Sequence, residues 1–119
     1  MMFFDSYALL EIYKGNKSYE RYKKVGVVTS YLHLYELYYS LRKEHNNEEI
    51  EDFFQVLQNF CINLEFNWIP KAVEFRILNK KKDLSYADCL GYIIARQLRI
   101  RFLTGDNQFK DLPDVEFVK

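Results

Sequence analysis

Apolar positions along the chain fall into short runs and into stripes of helical period, and the two kinds alternate. Met2-Phe3-Phe4 is a short apolar run stopped by Asp5-Ser6, and Tyr7-Ala8-Leu9-Leu10-Glu11-Ile12-Tyr13 follows at once. This predicts a buried strand passing directly into a helix, with Asp5 at the junction. Gly15-Asn16 breaks that helix. Residues 17–24 read as a short basic helix bearing tyrosines, closed by Gly26, and Val27-Val28-Thr29 as a second buried strand. A helix over 31–42, capped by Thr29 or Ser30, is apolar and aromatic, with Glu36 in its midst. After a turn at His45-Asn46-Asn47, Ile50, Phe53, Phe54, Leu57 and Cys61 form a helical stripe. Acids stand at its start, as the helix dipole favours. Residues 62–66 read as a third strand, and Pro70 suits the first turn of a helix running to about Lys82.

The stretch from Leu84 to Phe109 is the most informative. Ser85 and Asp88 have the spacing of a capping box. Leu90, Ile93, Ile94 and Leu98 then give an apolar stripe. Ala87, Gly91 and Ala95 form a small-residue stripe beside it, which lets a backbone approach closely. Residues 101–104 read as a buried strand ending at Gly105-Asp106-Asn107, and Val115-Glu116-Phe117-Val118 as the last strand. Strands alternating with helices predict an α/β fold around a parallel sheet. In such sheets ligands lie at the carboxyl ends of the strands, where both Asp5 and Asp106 fall.

Composition narrows the chemistry. With 119 residues, 49% of them hydrophobic, residues 1–119 are expected to form one domain with a real core. Lys+Arg and Asp+Glu number 17 each, so the chain lacks the positive coat of a non-specific nucleic-acid binder. Cys61 and Cys89 make no CxxC, and His33 and His45 alone cannot build a zinc site. Neither a signal peptide nor a membrane-length run is visible, which leads us to expect a reduced, soluble, cytoplasmic protein. High aromatic content, 18%, suggests that some rings serve a partner surface, with Tyr7, Tyr13, Tyr19 and Tyr22 as candidates beside core packing.

Taken singly, the acids have plain structural readings. Asp5 reads as a helix N-cap, Asp88 as the acid of a capping box and Asp106 as a turn residue. Glu36 is different, because burying an unpaired carboxylate among Leu and Tyr is costly. A phosphatase of the DxD type is disfavoured, since Asp5-Ser6-Tyr7 lacks the second acid. His33 reads as a packed or exposed histidine rather than a general base.

Together these segments resemble a known family. Phe3-Phe4-Asp5-Ser6, Thr29 with Tyr35-Glu36-Leu37, Leu84-Ser85-Tyr86-Ala87-Asp88 and Leu103-Thr104-Gly105-Asp106-Asn107-Gln108-Phe109 are similar, in order and setting, to PIN domains. These are metal-dependent nucleases that include the VapC-like toxins of toxin–antitoxin pairs. The resemblance implies a three-layer α/β/α fold with a sheet of about five strands, order 3-2-1-4-5. It also implies an Mg²⁺- or Mn²⁺-dependent endoribonuclease in which Asp5, Glu36, Asp88 and Asp106 hold metal and act in catalysis. Thr104 and Ser6 would orient ligands or hold a water, with a plain turn hydroxyl as the alternative for each. The position shortly after the fourth acid, acidic in the family, holds the amides Asn107 and Gln108. Expected partners are RNA, a small antitoxin protein and a second copy of the chain in a homodimer. An RNA-processing nuclease outside such a pair, and a non-catalytic PIN-like interaction module, are the alternatives.

Overall fold

The structure is a computed structural model describing residues 1–119. Strand β1 (Met2–Phe4) runs into helix α1 (Ser6–Lys14), and a 3₁₀ helix (Lys17–Lys24) leads to β2 (Val27–Val28). Helices α2 (Tyr31–Arg42), α3 (Asn47–Leu57), α4 (Trp68–Leu78) and α5 (Tyr86–Leu98) follow. The chain ends with β3 (Arg101–Thr104), a 3₁₀ turn (Asn107–Phe109) and β4 (Val115–Phe117). All pairings are parallel and the order is β2-β1-β3-β4, with Phe3 opposite Val28 on one side and Phe102 on the other.

Successive side chains of a strand point to opposite faces, and here both faces are covered. Phe3 and Phe102 are buried in one cluster with Trp68 and Ala72 of α4 and with Leu90, Ile94 and Ala95 of α5. Phe4 and Leu103 are buried in the other with Ala8 and Leu9 of α1, Leu34, Leu37 and Leu41 of α2, and Ile50 and Phe54 of α3. The result is the expected three-layer α/β/α arrangement. Phe3 is fully buried, so Phe3→Ala is expected to cost about 3–5 kcal/mol.

The expected close approach over Gly91 is present. A Cβ on Gly91 would lie 2.5 Å from His33 Nε2 and 2.9 Å from the Phe3 ring, so α5 sits over β1 and α2 only because the side chain is absent.

Three expectations need correction. The sheet has four strands, and residues 62–66 add no fifth. Thr29 pairs with Cys61 through a single bridge, with bonds from Thr29 N–H to the Phe60 carbonyl and from Ile62 N–H to the Thr29 carbonyl. There the ladder stops, because the chain after Thr29 turns into α2 at its Ser30 cap and offers no further partner. The Lys17–Lys24 segment is a 3₁₀ helix, in which positions three apart eclipse. Tyr19 and Tyr22 therefore share an inward face, and both are buried. Their hydroxyls donate to the Val118 carbonyl and to Glu116 Oε2, which makes them core residues rather than a partner surface. Helix α4 stops at Leu78, short of Lys82, where the Asn79 amide donates back to the Phe75 carbonyl. No helix is long and apolar enough to cross a membrane.

Candidate active site

Asp5 leaves the end of β1 as the N-cap of α1, its Oδ1 accepting from Ser6 N–H at 2.9 Å. Its other oxygen accepts from the Thr104 hydroxyl at 2.7 Å, at the end of the neighbouring strand β3. The Thr104 hydroxyl in turn accepts from Asp106 N–H at 3.1 Å, so one chain of bonds ties together the ends of both central strands. Asp88 forms the capping box of α5 with Ser85, as the spacing predicts.

Glu36 enters from α2, one and a half turns past the Ser30 cap. It is half-buried, and both its oxygens are satisfied by hydroxyls. Ser6 Oγ donates at 2.8 Å and Ser85 Oγ at 3.0 Å. These serines come from α1 and from the cap of α5, so Glu36 pins three elements at one point.

One carboxylate oxygen from each of Asp5, Glu36 and Asp88 lies within 4.8 Å of the other two. Asp106 borders the same basin, which also takes in Tyr39 and Lys43. Its carboxylate stands outside the close group and caps the 3₁₀ turn, accepting from Gln108 N–H at 3.0 Å. Lys82 steadies that turn by donating to the Gln108 carbonyl at 2.8 Å. Lys80 and Lys81 lie outside the basin.

The electrostatics are those of a site holding too much negative charge. Burial, then the neighbouring Asp88 charge and more weakly Glu36, push the Asp5 carboxyl up to about 8, against the opposing bonds from Thr104 and Ser6. Asp88 is raised to about 6, first by burial and further by Glu36 and Asp106, against the bonds it receives from Ser85. His33 stands behind Asp5, fully buried, with Nδ1 2.6 Å from the Ser30 hydroxyl. Burial lowers it to about 4, only partly opposed by the Ala87 backbone. The ring is therefore neutral at pH 7, and its Nε2, 3.9 Å from Asp5 Oδ1 and without a hydrogen-bond partner, makes no ion pair.

The profile of the PIN domain matches residues 2–115. The chain belongs to the PIN-domain family. Among curated proteins no relative matches at a significant level. Among solved structures, a toxin–antitoxin complex from Klebsiella pneumoniae contains a chain of the same fold, with a TM-score of 0.76. The two are 18% identical, and the match covers 98% of this chain and 96% of that one. In this PIN domain Lys43 and a second role of Ser85 escaped the sequence reading. Lys43 had a usable signal, seven positions after Glu36 on the same helix face. Ser85 was legible as a cap, but nothing local shows that its hydroxyl also reaches Glu36.

Proposed function

We propose that this PIN domain is a metal-dependent endoribonuclease that hydrolyses RNA phosphodiester bonds and acts as the toxin of a toxin–antitoxin pair. The observation that supports it best is the convergence of Asp5, Glu36 and Asp88 at the carboxyl end of the parallel sheet. These residues suit a hard divalent cation: the donors are all carboxylate oxygens, and no cationic side chain pairs with Asp5. Mg²⁺ or Mn²⁺, when bound, supplies an activated water and neutralises charge on the phosphodiester.

Under this reading Asp5, Glu36 and Asp88 hold the ion, and Asp106 acts from the rim. Thr104 fixes one oxygen of Asp5, while Ser6 and Ser85 fix the rotamer of Glu36, so the donors are oriented before any ion arrives. The toxin assignment and the antitoxin partner rest on family membership and on likeness to a chain from a toxin–antitoxin complex. A cytoplasmic setting belongs to the same reading.

The test is cleavage of RNA by purified protein freed of any antitoxin. Activity with Mg²⁺ or Mn²⁺ should stop with EDTA, and Asp5→Asn and Asp88→Asn should each be inactive with unchanged circular dichroism. Full activity in both variants would overturn the site. Expression alone should slow growth of the host, with relief on co-expression of a cognate small antitoxin; harmless expression would remove the toxin label.

A further inference from the structure

Helix α2 carries Tyr31, Tyr35 and Tyr39 at four-residue spacing, 62%, 74% and 65% exposed. Tyr86, the first residue of α5, is 73% exposed. Tyr35, Tyr39 and Tyr86 surround a cleft between α2 and the start of α5, over Leu32 and Ala87. Glu36, Tyr39 and Ser85 border both this cleft and the acidic basin, so the two adjoin.

Cations accompany two of these rings. Lys43 Nζ lies 4.6 Å from the Tyr39 ring centroid, and the Arg76 guanidinium 4.2 Å from that of Tyr86. Lys43 also borders the acidic basin.

We propose that this cleft holds unpaired nucleobases of the RNA strand being cut, with Tyr35 and Tyr86 as stacking faces and Lys43 on a flanking phosphate. The inference rests on the nuclease reading and names the side chains that seat the strand. Aromatic faces beside cations, next to a site for phosphate chemistry, are the pairing by which proteins grip single strands without reading sequence. A protein partner would need only apolar contact here and would not need the cleft to adjoin the carboxylates.

Binding of a fluorescein-labelled oligoadenylate, followed by anisotropy alongside KM and kcat for RNA cleavage, tests this. Tyr35→Ala and Tyr86→Ala are each expected to weaken binding about tenfold and to raise KM similarly, with kcat nearly unchanged. Tyr→Phe at either position should behave as wild type and Tyr→Leu as Ala, because stacking needs the ring and not the hydroxyl. Lys43→Ala should lower the salt slope of binding by about one, and duplex RNA should not compete. Unchanged binding in the Ala variants overturns the inference. So does full function of the Leu variants, which points to apolar docking of a protein, or loss in the Phe variants, which points to the hydroxyls. If wild type shows no metal-dependent cleavage while the tyrosine variants still weaken oligoadenylate binding, the nuclease reading fails and the stacking cleft stands.

Discussion

Asp5 and Asp106 stand just past the ends of adjacent parallel strands, border the same basin and share Thr104 as a hydrogen-bonding neighbour, yet they differ in kind. Asp106 is half-buried, and its carboxylate caps a turn by accepting from Gln108 N–H. Asp5 is 2% exposed, and two hydrogen bonds fail to offset its burial beside Asp88 and Glu36. As a helix cap alone, Asn or Ser would serve Asp5's position about as well without the charge. The difference separates an acid that structure explains from one that structure tolerates. What hydrogen bonds leave uncompensated at Asp5 is what a cation would compensate.

The sharpest way to break this contrast is activity. Asp5→Asn is expected to remove metal-dependent cleavage entirely, whereas Asp106→Asn, acting from the rim, should reduce it about 10–100-fold. Equal losses in side-by-side RNA cleavage assays would erase the distinction. Metal-linked stability comes next. Mg²⁺ at a hundredfold above its dissociation constant should stabilise wild type by about 2.7 kcal/mol, as read from thermal melts. That increment should vanish in Asp5→Asn and survive, reduced, in Asp106→Asn.

Much of this was legible in the sequence. The capping pair Ser85/Asp88 is local and forms as its spacing demands. Asp5 was placed by a strand-to-helix junction one residue long, and Gly91 by a small-residue stripe that only close packing rewards. What stayed hidden depends on contacts between distant segments. Tyr19 and Tyr22 are buried by the chain's last strand and tail, 99 and 94 positions away. Residues 62–66 have strand-like composition, but their would-be partner had already turned into a helix. Glu36 looked stranded in an apolar helix until hydroxyls 30 and 49 positions away closed on it. The neutral, half-satisfied His33 behind Asp5 could not be told from an ordinary core histidine by its neighbours in sequence.

The pH dependence of stability sharpens the contrast further. In EDTA, the Asp5 carboxyl is raised from 3.8 to about 8, so the folded state holds its proton where the unfolded chain has released it. Stability from this group is full below pH 3.8 and is lost as pH rises to about 8. His33, lowered from 6.5 to about 4, acts in the opposite sense between those values. Asp88 loses stability only up to about 6. Between roughly 6.5 and 8, Asp5 therefore acts alone. Metal-free stability should fall there by up to about 1.4 kcal/mol per pH unit. Urea melts across this range should show the decline in wild type and in Asp106→Asn, and none in Asp5→Asn. Excess Mg²⁺ should flatten it in wild type by holding the carboxylates ionised. A flat wild-type profile in EDTA would mean that Asp5 is not charged against its surroundings.

Asp88 lies between the two extremes, and its effect is the smallest. Its Oδ2 accepts from Ser85 N–H at 2.8 Å, so as a cap its removal costs about 1 kcal/mol. Burial and the charges of Glu36 and Asp106 nevertheless raise it to about 6. Because the folded value lies above the unfolded 3.8, Asp88 weakens the metal-free protein progressively as pH rises through that interval. Asp88→Ala should consequently be destabilised at low pH, where only the cap is lost. Near pH 7 relief of the buried charge offsets that loss, and the variant should match or exceed wild type. In excess Mg²⁺ the order reverses, because wild type gains the metal increment and the variant loses most of it. Thermal melts at both pH values, with EDTA and with Mg²⁺, resolve the terms. A constant loss of about 1 kcal/mol under all conditions would make Asp88 a cap and nothing more.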